Sequence, residues 1–245
     1  MDDRKFFDLS GKQGLALGFS WGIAIVCLAG LVIVLTGGLT AGGDQGKVLG
    51  ASVNANAAAQ PAPTPAPEVN GDVAKLSPVS ASDYIRGHKN AEVTLIMISD
   101  FQCPYCQRHE ATITQLLKDY GDKIRVVWRN LPLVSIHQYA LKAAEASECA
   151  GEQGKFWEMH DKIFANQSAL TVDNLKSYAK ELGADEAKFN RCLDSGKYAD
   201  KINKQAAEAQ AAGVSGTPGT FINDTLVKGA YPIETFKTII DELLE

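Results

Sequence analysis

The sequence predicts an α/β domain over residues 83–245, preceded by an N-terminal transmembrane helix and a disordered linker. Three observations predict it. Residues 15–36 form an uncharged apolar stretch. Residues 37–82 are rich in Gly, Ala and Pro and have no apolar periodicity. From Asp83 onward, short apolar runs and helical spacings follow in the order β-α-β, helical block, β-β-α.

The apolar stretch comes first. Between Lys12 and Asp44 no residue is charged, and the apolar centre runs from about Leu15 to Leu35. Roughly 20 such residues suffice for a helix across a hydrocarbon core of ~30 Å. Arg4, Lys5 and Lys12 precede it and Lys47 follows it. Positive charge is retained inside, so residues 1–14 form a cytoplasmic tail and the remainder lies outside. Asp2, Asp3 and Asp8 share the basic flank and weaken the bias. A cleaved signal peptide is the rival reading, but no A-x-A site closes the run and Ala55-Asn-Ala57 lies too far downstream. A buried core helix is the bland alternative. Cys27 follows Val26 in mid-span, which suits a passive small hydrophobe and not a lipidated residue. Anchor and signal agree that the C-terminal part is exported, to where disulfides persist. The expected location is a single-pass cell-membrane protein with its domain in the periplasm or the extracellular space, contacting lipid through the N-terminal helix.

Within residues 37–82, Ala57-Ala-Ala-Gln-Pro-Ala-Pro-Thr-Pro-Ala-Pro67 favours extended polyproline II and offers no core to bury. It reads as a spacer. The chain as a whole carries a formal net charge of -5 with no Lys/Arg-rich block, which speaks against a nucleic-acid partner.

In the domain, Val93-Thr-Leu-Ile-Met-Ile-Ser99 suits a buried central strand. Ile113, Leu116, Leu117 and Tyr120 fall at helical spacing, and Gly121 ends that helix. Ile124-Arg-Val-Val-Trp128 reads as a second strand. Residues 137–212 are Ala-rich and helical, punctuated by Gly151, Gly154, Gly183 and Gly196. Thr220-Phe-Ile222 and Leu226-Val-Lys228 flank an Asn223-Asp224 turn and read as a hairpin. Ile233, Phe236, Ile239, Ile240, Leu243 and Leu244 form one face of a closing helix.

Five cysteines are present: Cys27, Cys103, Cys106, Cys149 and Cys192. Cys103-Pro-Tyr-Cys106 sits where a strand hands over to a helix. A sulfur at a helix N-terminus meets backbone N–H groups and the positive end of the helix dipole, which stabilise a thiolate. A stabilised thiolate leaves readily, so its disulfide is a stronger oxidant. Pro104 suits the first helical turn, where its missing N–H is not needed. Cys103 is thus the candidate nucleophile and Cys106 the resolving thiol. Other uses of the pair are half a zinc site, which lacks a second CxxC, and a structural disulfide, which rarely closes so tight a loop. A c-type haem needs His after the second cysteine, where this chain has Gln107. No cofactor or metal is expected.

These residues resemble the DsbA-like thioredoxin proteins. The likeness rests on Ser99-Asp-Phe-Gln-Cys-Pro-Tyr-Cys106, on Arg129-Asn-Leu-Pro-Leu133, on His137 through His160, and on Gly213-Val-Ser-Gly-Thr-Pro218. It covers residues 83–245 and implies a thioredoxin-like fold with an inserted helical subdomain at about 137–212. It implies that Thr217-Pro218 is a cis bond facing Cys103; the residues alone indicate only a tight turn. Exposed Thr217 backbone groups would then pair with an extended substrate. Relatives often carry a buried acid six residues before the first cysteine, where this chain has Met97. Asp100 keeps a common pattern and is expected to cap the strand-to-helix junction. In an oxidising compartment Cys149 and Cys192 suggest a structural bridge, which some relatives have; two buried free thiols are the alternative.

The resemblance implies a thiol–disulfide oxidoreductase that introduces disulfides into reduced exported proteins. A quinone-linked membrane oxidase of the DsbB or VKOR type would reoxidise it. A disulfide isomerase or reductase using the same pair is the alternative. A redox-independent chaperone or binding module is an alternative of another class, and Cys103→Ser separates it.

Overall fold

A computed structural model describes residues 70–245. The expected cytoplasmic tail, membrane helix and most of the linker lie outside the described residues. Among the described residues no helix is long and apolar enough to cross a membrane.

The strands are β1 (Ile85–Gly87), β2 (Val93–Ser99), β3 (Ile124–Asn130), β4 (Gly219–Ile222) and β5 (Thr225–Lys228). They form one sheet in the order β1-β3-β2-β4-β5. Only β2 and β3 run parallel, joined across helix α1 (Pro104–Tyr120). The other pairings are antiparallel. Five helices then intervene before β4: α2 (Ala140–Gly151), α3 (Phe156–Ala165), α4 (Val172–Glu181), α5 (Glu186–Ser195) and α6 (Ala199–Ala211). Helix α7 (Ile233–Leu244) closes the chain.

The continuous apolar run of β2 has a direct cause, because both faces of the sheet are covered. Leu95 and Met97 join a core with Ile113, Leu116, Trp128, Phe156 and Phe236. Ile96 and Ile98 point into a second cluster with Val127, Leu131, Ala209, Val214 and Phe221. Helix α1 buries Cys106, His109, Ile113 and Leu116, a single stripe at helical spacing. It stops at Gly121, whose φ of 53° suits a residue without a side chain.

A polar seam joins the sheet to the helical insertion. Asn130 Nδ2 donates to Gln205 Oε1 at 2.9 Å, and Tyr84 Oη donates to Glu148 Oε2 at 3.0 Å. Lys201 Nζ reaches the same Glu148 oxygen at 2.7 Å. Glu148 is therefore buried with its charge matched, as a buried carboxylate must be.

Two expectations need correction. The linker was expected to reach residue 82, but residues 70–82 pack on the domain. Leu76 enters the second cluster, the Asp72 amide donates to Ala212 O at 3.0 Å, and Ser77 Oγ donates to Glu208 Oε1 at 2.6 Å. One buried leucine and a few hydrogen bonds to distant residues leave no periodicity to read. The three-residue strand β1 was not expected either, since it is too short to show alternation. It pairs Ile85 with Val127, and Asp83 just before it forms a buried ion pair with Arg129 at 2.6 Å.

Candidate redox site

The site forms where β2 ends and α1 begins. Asp100 organises the turn between them. Its Oδ1 accepts from the Gln102 amide at 2.7 Å. Its Oδ2 accepts from the Leu133 amide at 2.8 Å and faces His137 Nδ1 at 2.8 Å. Asp100 was expected to cap the strand-to-helix junction, and its bond to the Gln102 amide does so; it also ties this loop to the loop after β3, while Cys103 takes the N-cap position with no side-chain capping bond. Gln102 Oε1 adds a second tie by accepting from the Tyr139 amide at 2.7 Å.

Cys103 and Cys106 are both free thiols and both buried. Their environments differ sharply. A hydrogen bond from Cys106 is the main influence holding the Cys103 thiol down, to about 5, against the opposing effect of burial. The Cys106 and Tyr105 backbone amides act in the same direction. These amides belong to the first turn of α1, at the positive end of the helix dipole. Burial pushes the Cys106 thiol far up, and the neighbouring Cys103 adds to the rise. One sulfur is therefore a thiolate at neutral pH while the other keeps its proton.

Opposite the pair lies the Thr217–Pro218 loop. The bond between these residues is cis. Cys103 Sγ sits 3.4 Å from Thr217 O. Ser215, Gly216, Thr217, Pro218, Gly229 and Tyr231 line an open cleft of about 370 Å³ on this side. Tyr105 is 57 % exposed beside Cys106, and Val134 and Ile136 are exposed on the loop that Asp100 anchors.

Cys149 on α2 and Cys192 on α5 are bonded to each other across 43 residues. This bridge lies within the insertion and takes no part in the Cys103–Thr217 constellation. Met97 is fully buried at the position where relatives often carry an acid. His160 is buried among Phe101, Trp128 and Phe164, with its Nδ1 2.8 Å from Asp161 Oδ1.

Two site residues escaped the sequence reading. Gln167, in the loop after α3, donates through Nε2 to Phe101 O at 2.9 Å and to Cys103 O at 2.8 Å. Gln107, next to Cys106, donates to Phe164 O at 2.7 Å. No local pattern marks either glutamine.

Comparison with known proteins bears on the family and the fold. A family model described as thioredoxin matches residues 80–242. Among solved structures, the thiol-disulfide exchange protein alpha-DsbA2 from Wolbachia pipientis is similar at 25 % identity and a TM-score of 0.59, over 66 % of this chain and 88 % of that one. A thioredoxin-like oxidoreductase from Silicibacter pomeroyi is similar at 26 % identity and a TM-score of 0.60, over 66 % and 92 %. BdbD from Bacillus subtilis, at 20 % identity, shares the fold with a TM-score of 0.61 over 73 % and 98 %. Among curated proteins, Na(+)/H(+) antiporter NhaA 3 from Salinispora tropica is 42 % identical over 158 residues, which is 64 % of this chain and 24 % of the antiporter. NhaA from Herminiimonas arsenicoxydans is 36 % identical over 159 residues, 65 % and 25 % respectively. The chain thus spans about a quarter of the length of these curated relatives.

Proposed function

The chain belongs to the DsbA-like thioredoxin family of thiol–disulfide oxidoreductases, and on that premise we propose that it introduces disulfides into reduced exported proteins through Cys103 and Cys106. The observation that carries this reading is the asymmetry of the pair: Cys103 is held down to about 5 at the start of α1, while burial keeps Cys106 protonated.

The steps follow from that asymmetry. In the oxidised protein a client thiolate attacks Cys103 Sγ. The Cys103–Cys106 bond breaks, and Cys106 leaves with the electron pair and takes up a proton. A second client thiolate then attacks the client sulfur of the mixed disulfide. Cys103 departs as a thiolate, and the client leaves with a new disulfide. The client has lost two electrons and this domain has gained them. Departure of Cys103 is favoured because its thiolate is already stabilised.

The cleft beside Thr217 and the exposed Tyr105, Val134 and Ile136 support an extended, partly apolar client segment. In the same reading, residues 15–36 anchor the protein to the membrane with the domain on the periplasmic or extracellular side. A quinone-linked membrane oxidase of the DsbB or VKOR type takes the two electrons. The likeness to a quarter of each antiporter assigns no ion transport to this chain.

The reduction potential of the pair, equilibrated against glutathione in the full chain, tests the direction of exchange. A value near about -120 mV is expected of a disulfide donor, and a value near about -270 mV would replace the oxidase with a reductase.

A further inference from the structure

The helical insertion reaches the redox loop through two glutamine side chains that point in opposite directions. Gln167 leaves the insertion and donates to the carbonyls of Phe101 and Cys103. Gln107 leaves α1 and donates to the carbonyl of Phe164, at the end of α3. The Gln167 bonds grip both ends of the Phe101-Gln102-Cys103 segment. The Cys103 carbonyl also accepts from the Cys106 and Gln107 amides at 3.1 and 3.2 Å, so it is the acceptor on which the first turn of α1 is built.

We propose that this reciprocal amide clasp makes Gln167 a positioning residue for the redox reaction, setting the orientation of Cys103 at the start of α1 and thereby how well its thiolate is held.

The physical link is short. Sγ gains from the Tyr105 and Cys106 amides only while the Cys103 backbone keeps its extended N-cap conformation, with φ -75° and ψ 122°. That conformation is fixed on one side by the helix and on the other by Gln167. A side-chain amide suits this position because it gives two N–H donors from one atom and carries no charge that would compete with the thiolate. Asp100 and Gln102 tie the same segment to the loop after β3. The clasp adds the insertion as a second, independent support. Part of the thioredoxin core's chemistry is therefore set by a subdomain that contributes no reacting atom.

This inference rests on the redox reading above, and the test separates the two. Gln167→Met keeps the length and removes both donors. In the full-length protein, the expected result is a loss of about tenfold in the equilibrium constant for oxidising glutathione, equal to about 30 mV towards a more reducing potential. The pH midpoint of Cys103 alkylation should rise in parallel. Gln167→Glu, which puts an acceptor against two carbonyls, should shift both in the same direction. Gln107→Met, which touches only α3, should shift them less. Thermal unfolding of the oxidised variants reports on packing separately. An unchanged potential and midpoint in Gln167→Met, with or without a lower Tm, would overturn the clasp while leaving the redox function standing. A wild-type protein with no measurable couple would sink the redox reading itself.

Discussion

Two cysteine pairs occupy one domain, and they have opposite chemistry. Cys103 and Cys106 stand three residues apart at the start of a helix, as free thiols. Cys149 and Cys192 stand 43 residues apart on α2 and α5, bonded to each other. Both pairs are buried, so burial alone does not distinguish them. The difference is what surrounds the sulfur. Cys103 faces backbone amides and a second thiol, which favour a thiolate. Cys149 is packed in an Ala-rich helix, and Cys192 lies 3.5 Å from a Glu152 carboxylate oxygen that is itself paired with Lys197 at 2.7 Å. On the proposed function, reactivity belongs to the pair at the helix start, and cross-linking belongs to the pair that ties distant helices together.

The comparison breaks most completely at Cys103. Cys103→Ser should abolish thiol–disulfide exchange with a reduced client peptide, while the Cys149–Cys192 bridge and the fold persist. Retained exchange would move the chemistry to the other pair.

A pH titration sharpens it next. Alkylation of reduced protein at Cys103 should be half-maximal near pH 5, whereas Cys106 should resist alkylation through neutral pH. The sign for stability follows. The folded pKa of Cys103 lies below its ordinary value of 9.0, so the thiolate stabilises the reduced fold fully above about pH 9 and loses that effect as pH falls through about 5. Oxidised protein has no such thiolate. The stability of reduced relative to oxidised protein should therefore rise with pH across that window, by at most about 1.4 kcal/mol per unit. A flat difference in denaturant melts would remove the thiolate from the account.

Removal of the bridge is expected to have the smaller consequence. Replacing Cys149 and Cys192 together by Ala should lower stability by about 2–4 kcal/mol, because a closed loop of this length constrains the unfolded chain. Exchange at Cys103 should continue. Loss of exchange in a folded double variant would show that the insertion's internal rigidity is felt at the redox loop.

Much of this site could be read along the chain because its parts are local. Val93–Ser99, the cysteine pair, Pro104 and the stripe from Cys106 to Leu116 are consecutive, and their periodicity is that of a buried strand feeding an amphipathic helix. The partners of that loop are less local. Asp100 was visible, but its bonds to Leu133 and His137, 33 and 37 residues away, were not. Gln167 reaches Cys103 from 64 residues away with a side chain of no distinctive pattern.

By itself, then, the sequence determined where the thiols sit and which elements carry them, since strand and helix periods and helix-start chemistry depend on neighbours in the chain. The tertiary structure alone decided the close contacts and burial of each sulfur: the Thr217 carbonyl 3.4 Å from Cys103, the burial that raises Cys106, and the glutamines that join insertion to loop. These depend on which surfaces meet when the core closes, and hydrogen bonds between distant side chains and carbonyls leave no period in the sequence from which to read them.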